Sequence, residues 1–221
     1  MKKLFLSLMA VAMCCVSAYA QENTEKKDTV PAEAVMLQSA ANLVKYGYAH
    51  DEALPLIQAA QIYQDFGLGT LETTKTTEGG TEDQGEKKST IEYSVDKLLA
   101  DATTMADGNE HLLALISEVK NSGTRGATQN YAVHYDSVNA HTTDTYNVRF
   151  RGGEVACVIV NGDGDTDLDL YIYDDNGNFI TSDTDSTDTC VCTWTPRYTG
   201  NFTIKIKNLG RVYNRYAMAI N

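Results

Sequence analysis

The sequence predicts an α + β chain in two parts, a small N-terminal helical bundle followed by an antiparallel, jelly-roll-like β-sandwich. Apolar residues recur at helical spacing as far as about residue 121, and from Asn130 onward β-branched and aromatic residues alternate with polar ones. Between the two regimes, Asn121-Ser122-Gly123-Thr124-Arg125-Gly126 supplies a polar hinge over residues 122–129. A chain of 221 residues accommodates one large or two small domains, and the change of character near residue 125 favours two.

Met1-Lys2-Lys3 is positive, Leu4 to Val16 is almost wholly apolar, and Ala18-Tyr19-Ala20 puts small residues where a signal peptidase reads them. Residues 1–20 therefore read as an export signal, and the mature chain from Gln21 is expected in the periplasm, outside the cell or at its surface. The apolar run is shorter than the ~20 residues of a bilayer span, and no later run replaces it, so no transmembrane segment is expected. Cys14 and Cys15 leave a second reading open, a lipoprotein acylated and anchored at one of them, although Ala12-Met13 and Met13-Cys14 make a poor context for that processing. Loss of the signal removes two lysines and no acid, taking the formal charge from −12 to −14. Such a balance argues against nucleic acid and anionic lipid surfaces, and agrees with divalent cations or simply with solubility.

Residues 21–30 are polar and expected to be disordered, and residues 31–121 form the helical domain. Pro31 to Tyr46 reads as a first helix stopped by Gly47, and Asp51 as the cap of a second that runs through Phe66 to Gly67. Residues 70–90 hold a single apolar side chain, Leu71, and are expected to be a flexible insertion. Ser94 fits the cap of a third helix and Asn109 the start of a fourth, whose Leu112, Leu115, Ile116 and Val119 are expected to face a core. A bundle this small is marginal alone and is expected to lean on the sandwich or on a protein partner.

In the C-terminal part, Thr145 to Phe150 alternates, Gly152-Gly153 turns the chain, and Glu154 to Val160 is more continuously apolar. Leu168, Leu170 and Ile172 share one face of the next strand and go to the core; Asp167, Asp169, Tyr171 and Tyr173 share the other. Asp174-Asp175-Asn176-Gly177 is a hairpin signal, and strands follow around Phe179-Ile180, Cys190 to Trp194, Phe202 to Ile206 and Tyr216 to Ile220. Seven or eight short strands at this spacing make a sandwich or jelly roll.

Asp163, Asp165, Asp167 and Asp169 alternate down a loop into a strand, with Asp174 beyond, and hard oxygen ligands so concentrated suit calcium. Gly162 and Gly164 fit equally a solvated acidic turn. Tyr171 and Tyr173 beside these acids fit a platform for stacking sugar rings, or cross-strand packing against Tyr198 or Tyr213. Cys157 is a candidate for a disulfide with Cys190 or Cys192, with three reduced core thiols as the alternative. No nucleophile elbow, zinc-binding helix or phosphate loop occurs, and no motif joins His50, His111, His134 or His141 to a nucleophile, so no catalytic residue is assigned.

One succession of residues resembles a family: Gly162 to Asp174 with its alternating acids, Asn176-Gly177-Asn178, Trp194-Thr195-Pro196, Gly200 to Ile204, and Asn214-Arg215-Tyr216. Together they resemble the bacterial pre-peptidase C-terminal domain over about residues 130–221. The resemblance implies a jelly-roll-like sandwich of the kind appended to secreted proteases and other exported enzymes, some relatives binding calcium, collagen or carbohydrate. Here a helical part, not a peptidase, stands beside it. The expected function is an exported non-catalytic binding or interaction protein, its sandwich meeting an extracellular glycan or protein with calcium support. A structural or assembly scaffold without a small ligand is the alternative, and an enzyme of unrecognised type stands behind both.

Overall fold

The structure is a computed structural model that describes residues 29–67, 69–80, 85–87, 89–122 and 131–221. The expected signal, Cys14 and Cys15, and most of the expected hinge lie outside these residues. Among the described residues no helix is long and apolar enough to cross a membrane.

The first helix, α1 (Ala32–His50), runs one turn further than the pattern predicts, and α2 (Ala53–Phe66) follows after Asp51 and Glu52. Gly47 does not stop α1: a Cβ there would lie 2.7 Å from Leu56 Cδ2, so the glycine allows α2 to approach closely. The left-handed residue is Asp51, φ 55°, whose N–H is joined to the Gly47 carbonyl; it ends α1 instead of capping α2. Two more helices complete the layer, α3 (Val95–Met105) and α4 (Glu110–Ser122). The Asn109 side-chain oxygen accepts the N–H groups of His111 and Leu112, which fixes the start of α4.

Among the described residues, ten strands form two five-stranded sheets. They are β1 (Gly69–Thr70), β2 (Lys75–Gly79), β3 (Ala132–Val138), β4 (Thr142–Phe150), β5 (Ala156–Gly162), β6 (Leu168–Tyr173), β7 (Phe179–Asp183), β8 (Thr189–Trp194), β9 (Gly200–Asn208) and β10 (Asn214–Ile220). The first sheet has the order β1-β3-β10-β5-β8 and the second β2-β4-β9-β6-β7. Strands β3 to β10 are thus divided between the sheets in jelly-roll order, and every pairing is antiparallel except the short β1–β3 pair.

Two cores share the first sheet. Between the sheets lie Tyr146, Leu168, Leu170, Ile172, Ile204, Ile206 and Met218, as the alternation requires. On the outer side of the first sheet, Tyr131, Val133, Cys157, Ile159, Ala217 and Ala219 join Leu37, Val44, Leu56, Leu98 and Leu99 of the helices in one cluster. Strand β5 feeds both cores and is buried at all seven positions, which explains its unbroken apolar run. Each fully buried Leu or Ile contributes about 1.5–3 kcal/mol, so the helices and the sandwich stabilise each other rather than standing as separate units.

The expected flexible insertion at 70–90 is corrected in its described parts. β1 adds to the first sheet, and β2 pairs with β4 from Lys75–Tyr146 to Gly79–Thr142, so the segment straps one side of the sandwich. Its anchor is polar. Lys75 Nζ donates to Asp136 Oδ1 (2.8 Å), the Ser137 carbonyl (2.7 Å) and Asp144 Oδ2 (3.0 Å), and Thr77 donates to Asp144 Oδ1 (2.6 Å). Tyr146 and Tyr216 hydrogen-bond each other through their hydroxyls, and they bond Asp136 and Asp144 at 3.2 Å each. Apolar count alone missed this segment because backbone pairing and the ammonium groups of Lys75 and Lys87, not apolar burial, hold it.

Candidate functional site

The acidic loop does not present its five expected ligands as one group. Asp163 is buried at the end of β5, where Lys87 donates to its carboxylate and Arg215 N–H to Oδ2 at 2.9 Å. Burial raises the Asp163 carboxyl above the usual range despite the Lys87 ammonium beside it. Lys87 also reaches Asp165 Oδ2 at 3.0 Å, and the Ser89 N–H is shared between both Asp165 oxygens. Asp167 is raised by burial and by the charges of Asp169, Asp185 and Asp188, and its Oδ1 is buried with no hydrogen-bond partner. Asp169 accepts the Tyr171 hydroxyl at 2.9 Å. Asp174 stands at the far end of β6, where it accepts N–H groups from Asn176 and Asn178 and closes the turn.

Among the described residues, no three His, Cys, Asp or Glu side chains are gathered as a metal would need. The ammonium of Lys87 occupies the centre of the Asp163–Asp165 pair, and Lys45 in α1 holds Asp188 at 2.6 Å in the neighbouring turn. Both lysines come from the N-terminal half, so the helical layer and strap neutralise the loop. Lys87 follows Gly85 and Glu86 in a polar run that carries no pattern for a sequence reading to use.

The expected disulfide is also corrected. Cys157 stands opposite Thr193 in the β5–β8 register, whereas Val158 faces Cys192 and Val160 faces Cys190. Alternation therefore turns Cys157 toward the helices and Cys190 and Cys192 into the space between the sheets. All three are buried and in no disulfide, and burial pushes the Cys157 thiol up to about 11.

The outward face of the second sheet is different in kind. The helices cover the first sheet, but the side chains projecting outward from β4, β9 and β6 are half-exposed or exposed with the exception of Asp169. Register sets them in rows across the strands. One row reads Thr145–Lys205–Tyr171, and the next Asn147–Thr203–Tyr173. Lys205 Nζ lies 5.6 Å from the Tyr173 ring centre, and Thr203 donates to the Asn147 side-chain oxygen at 3.2 Å. Tyr173 meets Phe179 edge-on at 5.9 Å; Tyr198 instead lies on Phe202 at the end of the sandwich. The predicted Tyr171 and Tyr173 thus share one open face. Burial and the Asp169 bond push the Tyr171 hydroxyl up to about 12, so it remains a donor at neutral pH.

Sequence reasoning missed a second surface. Leu115, expected in the core, is 40 % exposed, while Ile116 and Val119 are buried. With Leu43, Leu54, Ile57 and Ile62 it lines an apolar groove of about 590 Å³ on the helical layer.

No family model matches the chain, and no curated protein matches it. Among solved structures, the chain is similar to Aeromonas hydrophila PliG, a periplasmic lysozyme inhibitor of g-type lysozyme, at 12% identity and a TM-score of 0.35, over 43% of this chain and 89% of that one. It is also similar to the CBM22-1 and GH10 modules of Clostridium thermocellum xylanase 10B, complexed with xylohexaose, at 13% identity and a TM-score of 0.24, over 40% of this chain and 24% of that one. Likenesses of this size carry neither an activity nor a ligand to the chain.

Proposed function

We propose that this chain is an exported, non-catalytic binding protein whose uncovered sheet face engages an extracellular polymer. The observation that carries the reading is the asymmetry of the sandwich: helices bury one outward face, and the other is left open with Tyr171 and Tyr173 among hydroxyl, amide and ammonium groups. A flat sheet with aromatic rings offers apolar area at low entropic cost, and the polar groups around it supply hydrogen bonds for orientation. The residues that resemble the pre-peptidase C-terminal domain support the same reading, and residues 1–20 support export.

The chain's titratable interior supports a role without chemistry. Lys75, Asp136, Asp144, Tyr146 and Tyr216 bond one another, and with Asp144, Tyr146 and Tyr216 buried the network ties the strap to the sandwich. The groove on the helical layer supports a protein partner for that half, as a scaffold would need. The reading does not require calcium at Asp163 and Asp165, where Lys87 stands between the two carboxylates.

Retention of the purified protein on insoluble glycans, collagen and cell-wall material, with calcium and with chelator, tests the reading. Tyr171→Ala with Tyr173→Ala is expected to abolish retention while leaving the melting temperature within a few degrees. Retention unchanged by the double substitution contradicts it.

A further inference from the structure

Resting on that reading, we infer that the polymer is an acidic polysaccharide, whose carboxylates meet Lys205, Lys207 and Arg149 while its rings lie on Tyr171 and Tyr173. Half of the described lysines and arginines sit on the chain's own acids, among them Lys45 on Asp188, Lys75 on Asp136 and Asp144, Lys87 on Asp163 and Asp165, and Lys97 on Asp101. Arg151 and Arg215 lie within 3.7 Å of Glu154 and Glu92. Lys205, Lys207 and Arg149 make no ion pair among the described residues, and all three project from the open face on the adjacent strands β4 and β9. In a chain of formal charge −12, three unspent cations on one uncovered sheet are a local reversal of sign.

The surrounding side chains narrow the partner. Across the face, the rows of Lys205 and Arg149 hold Thr145, Tyr171 and Asn201 and no carboxylate. Only the Lys207 row carries acids: Asp169, whose carboxylate accepts the Tyr171 hydroxyl, and Glu78 of the strap. Two lysines two residues apart on one strand stand about 7 Å from each other on the same side. A polymer with repeated carboxylates therefore engages several cations at once and gains from the multiplicity. Threonine, asparagine and the tyrosine faces suit ring hydroxyls and apolar ring faces, which a phosphate polymer or an acidic peptide lacks. The rest of the molecule repels a polyanion, but beyond the Debye length of about 8 Å at physiological salt that repulsion is largely screened.

Polygalacturonate and its methyl ester share the same rings and differ in charge, which makes them the probes. Affinity gels of the full protein are expected to show binding to polygalacturonate, weak binding to the ester, and roughly tenfold loss for Lys205→Gln with Lys207→Gln. Raising the salt to about 1 M, where the Debye length falls to about 3 Å, is expected to remove most of the difference between the two polymers. Unchanged melting shows that the exposed substitutions leave the fold intact. Equal binding to ester and acid, lost in Tyr171→Ala but not in the lysine variant, overturns the acidic class while the polymer-binding face stands. Binding to poly-glutamate as tight as to polygalacturonate also overturns it, as simple ion exchange. Retention on none of the glycans overturns both the class and the face.

Discussion

Lys75 shows how much one side chain decides in this molecule. It lies in a threonine-rich run, yet its ammonium contacts Asp136 and Asp144, which are 61 and 69 residues away along the chain. Burial alone would raise the Asp136 carboxyl, but Lys75, the Ser137 N–H and His134 outweigh it and hold the group below the usual carboxylate range. Burial would lower the Lys75 ammonium, but the two carboxylates hold it above the usual lysine value. The stability that Asp136 contributes is therefore fully present above its unfolded value near 3.9, and is lost as pH falls through the lower folded value. That from Lys75 is present below about 10.4 and is lost as pH rises through its higher folded value. Lys75→Met leaves the buried Asp144 and the half-buried Asp136 without their cation and is expected to cost about 2–3 kcal/mol in urea unfolding, below the figure for a fully buried pair. The loss should shrink as pH falls, because without the ammonium burial raises the Asp136 carboxyl and its protonation relieves the fold. A loss below 1 kcal/mol contradicts the strap's polar anchoring.

Residue-level legibility follows from periodicity. Leu168, Leu170 and Ile172 were readable as core, and Tyr171 and Tyr173 as outward, because a strand alternates with period two whatever surrounds it. Lys87 was not readable, because a lone lysine carries no sign of a partner brought beside it by the fold. With Lys87 on Asp163 and Asp165, melting is expected to be the same in calcium and in chelator. A calcium-dependent rise of several degrees contradicts the view that the lysine already fills that position.

At the level of elements, β2 is the correction with most consequence. Its exposed Thr76, Thr77 and Glu78 look like a solvated linker, and a composition argument treats them as one. The strand is nevertheless hydrogen-bonded along five positions of β4 and makes the edge of the second sheet. Hydrogen exchange is expected to show protection at residues 75–79 comparable to the paired positions of β4. Exchange as fast as in an unstructured peptide contradicts the pairing. The helix ends teach a similar lesson. Gly47 and Asp51 are both good stop signals, and which one ends α1 depends on how closely Leu56 of α2 approaches. That distance is a tertiary fact.

For the whole molecule, the order of layers is helices, first sheet, second sheet, open face. The sequence divides near residue 125, where helical spacing gives way to alternation, but the cores do not divide there. Leu56, Leu98 and Leu99 pack in one cluster with Ile159 and Ala219, so the first sheet is covered from both sides. Heating is accordingly expected to give a single cooperative transition, and residues 131–221 expressed alone are expected to aggregate through the uncovered first sheet. Two separated transitions contradict a shared core. Among the described residues the same layering leaves the outer face of the second sheet turned to solvent, which is why function is proposed there. Amide NMR with soluble fragments of whichever polymer retains the protein tests that placement most directly. Shifts confined to Thr145, Asn147, Tyr171, Tyr173, Thr203 and Lys205 are the result predicted, and shifts gathered instead around Leu43, Leu54 and Leu115 would contradict it.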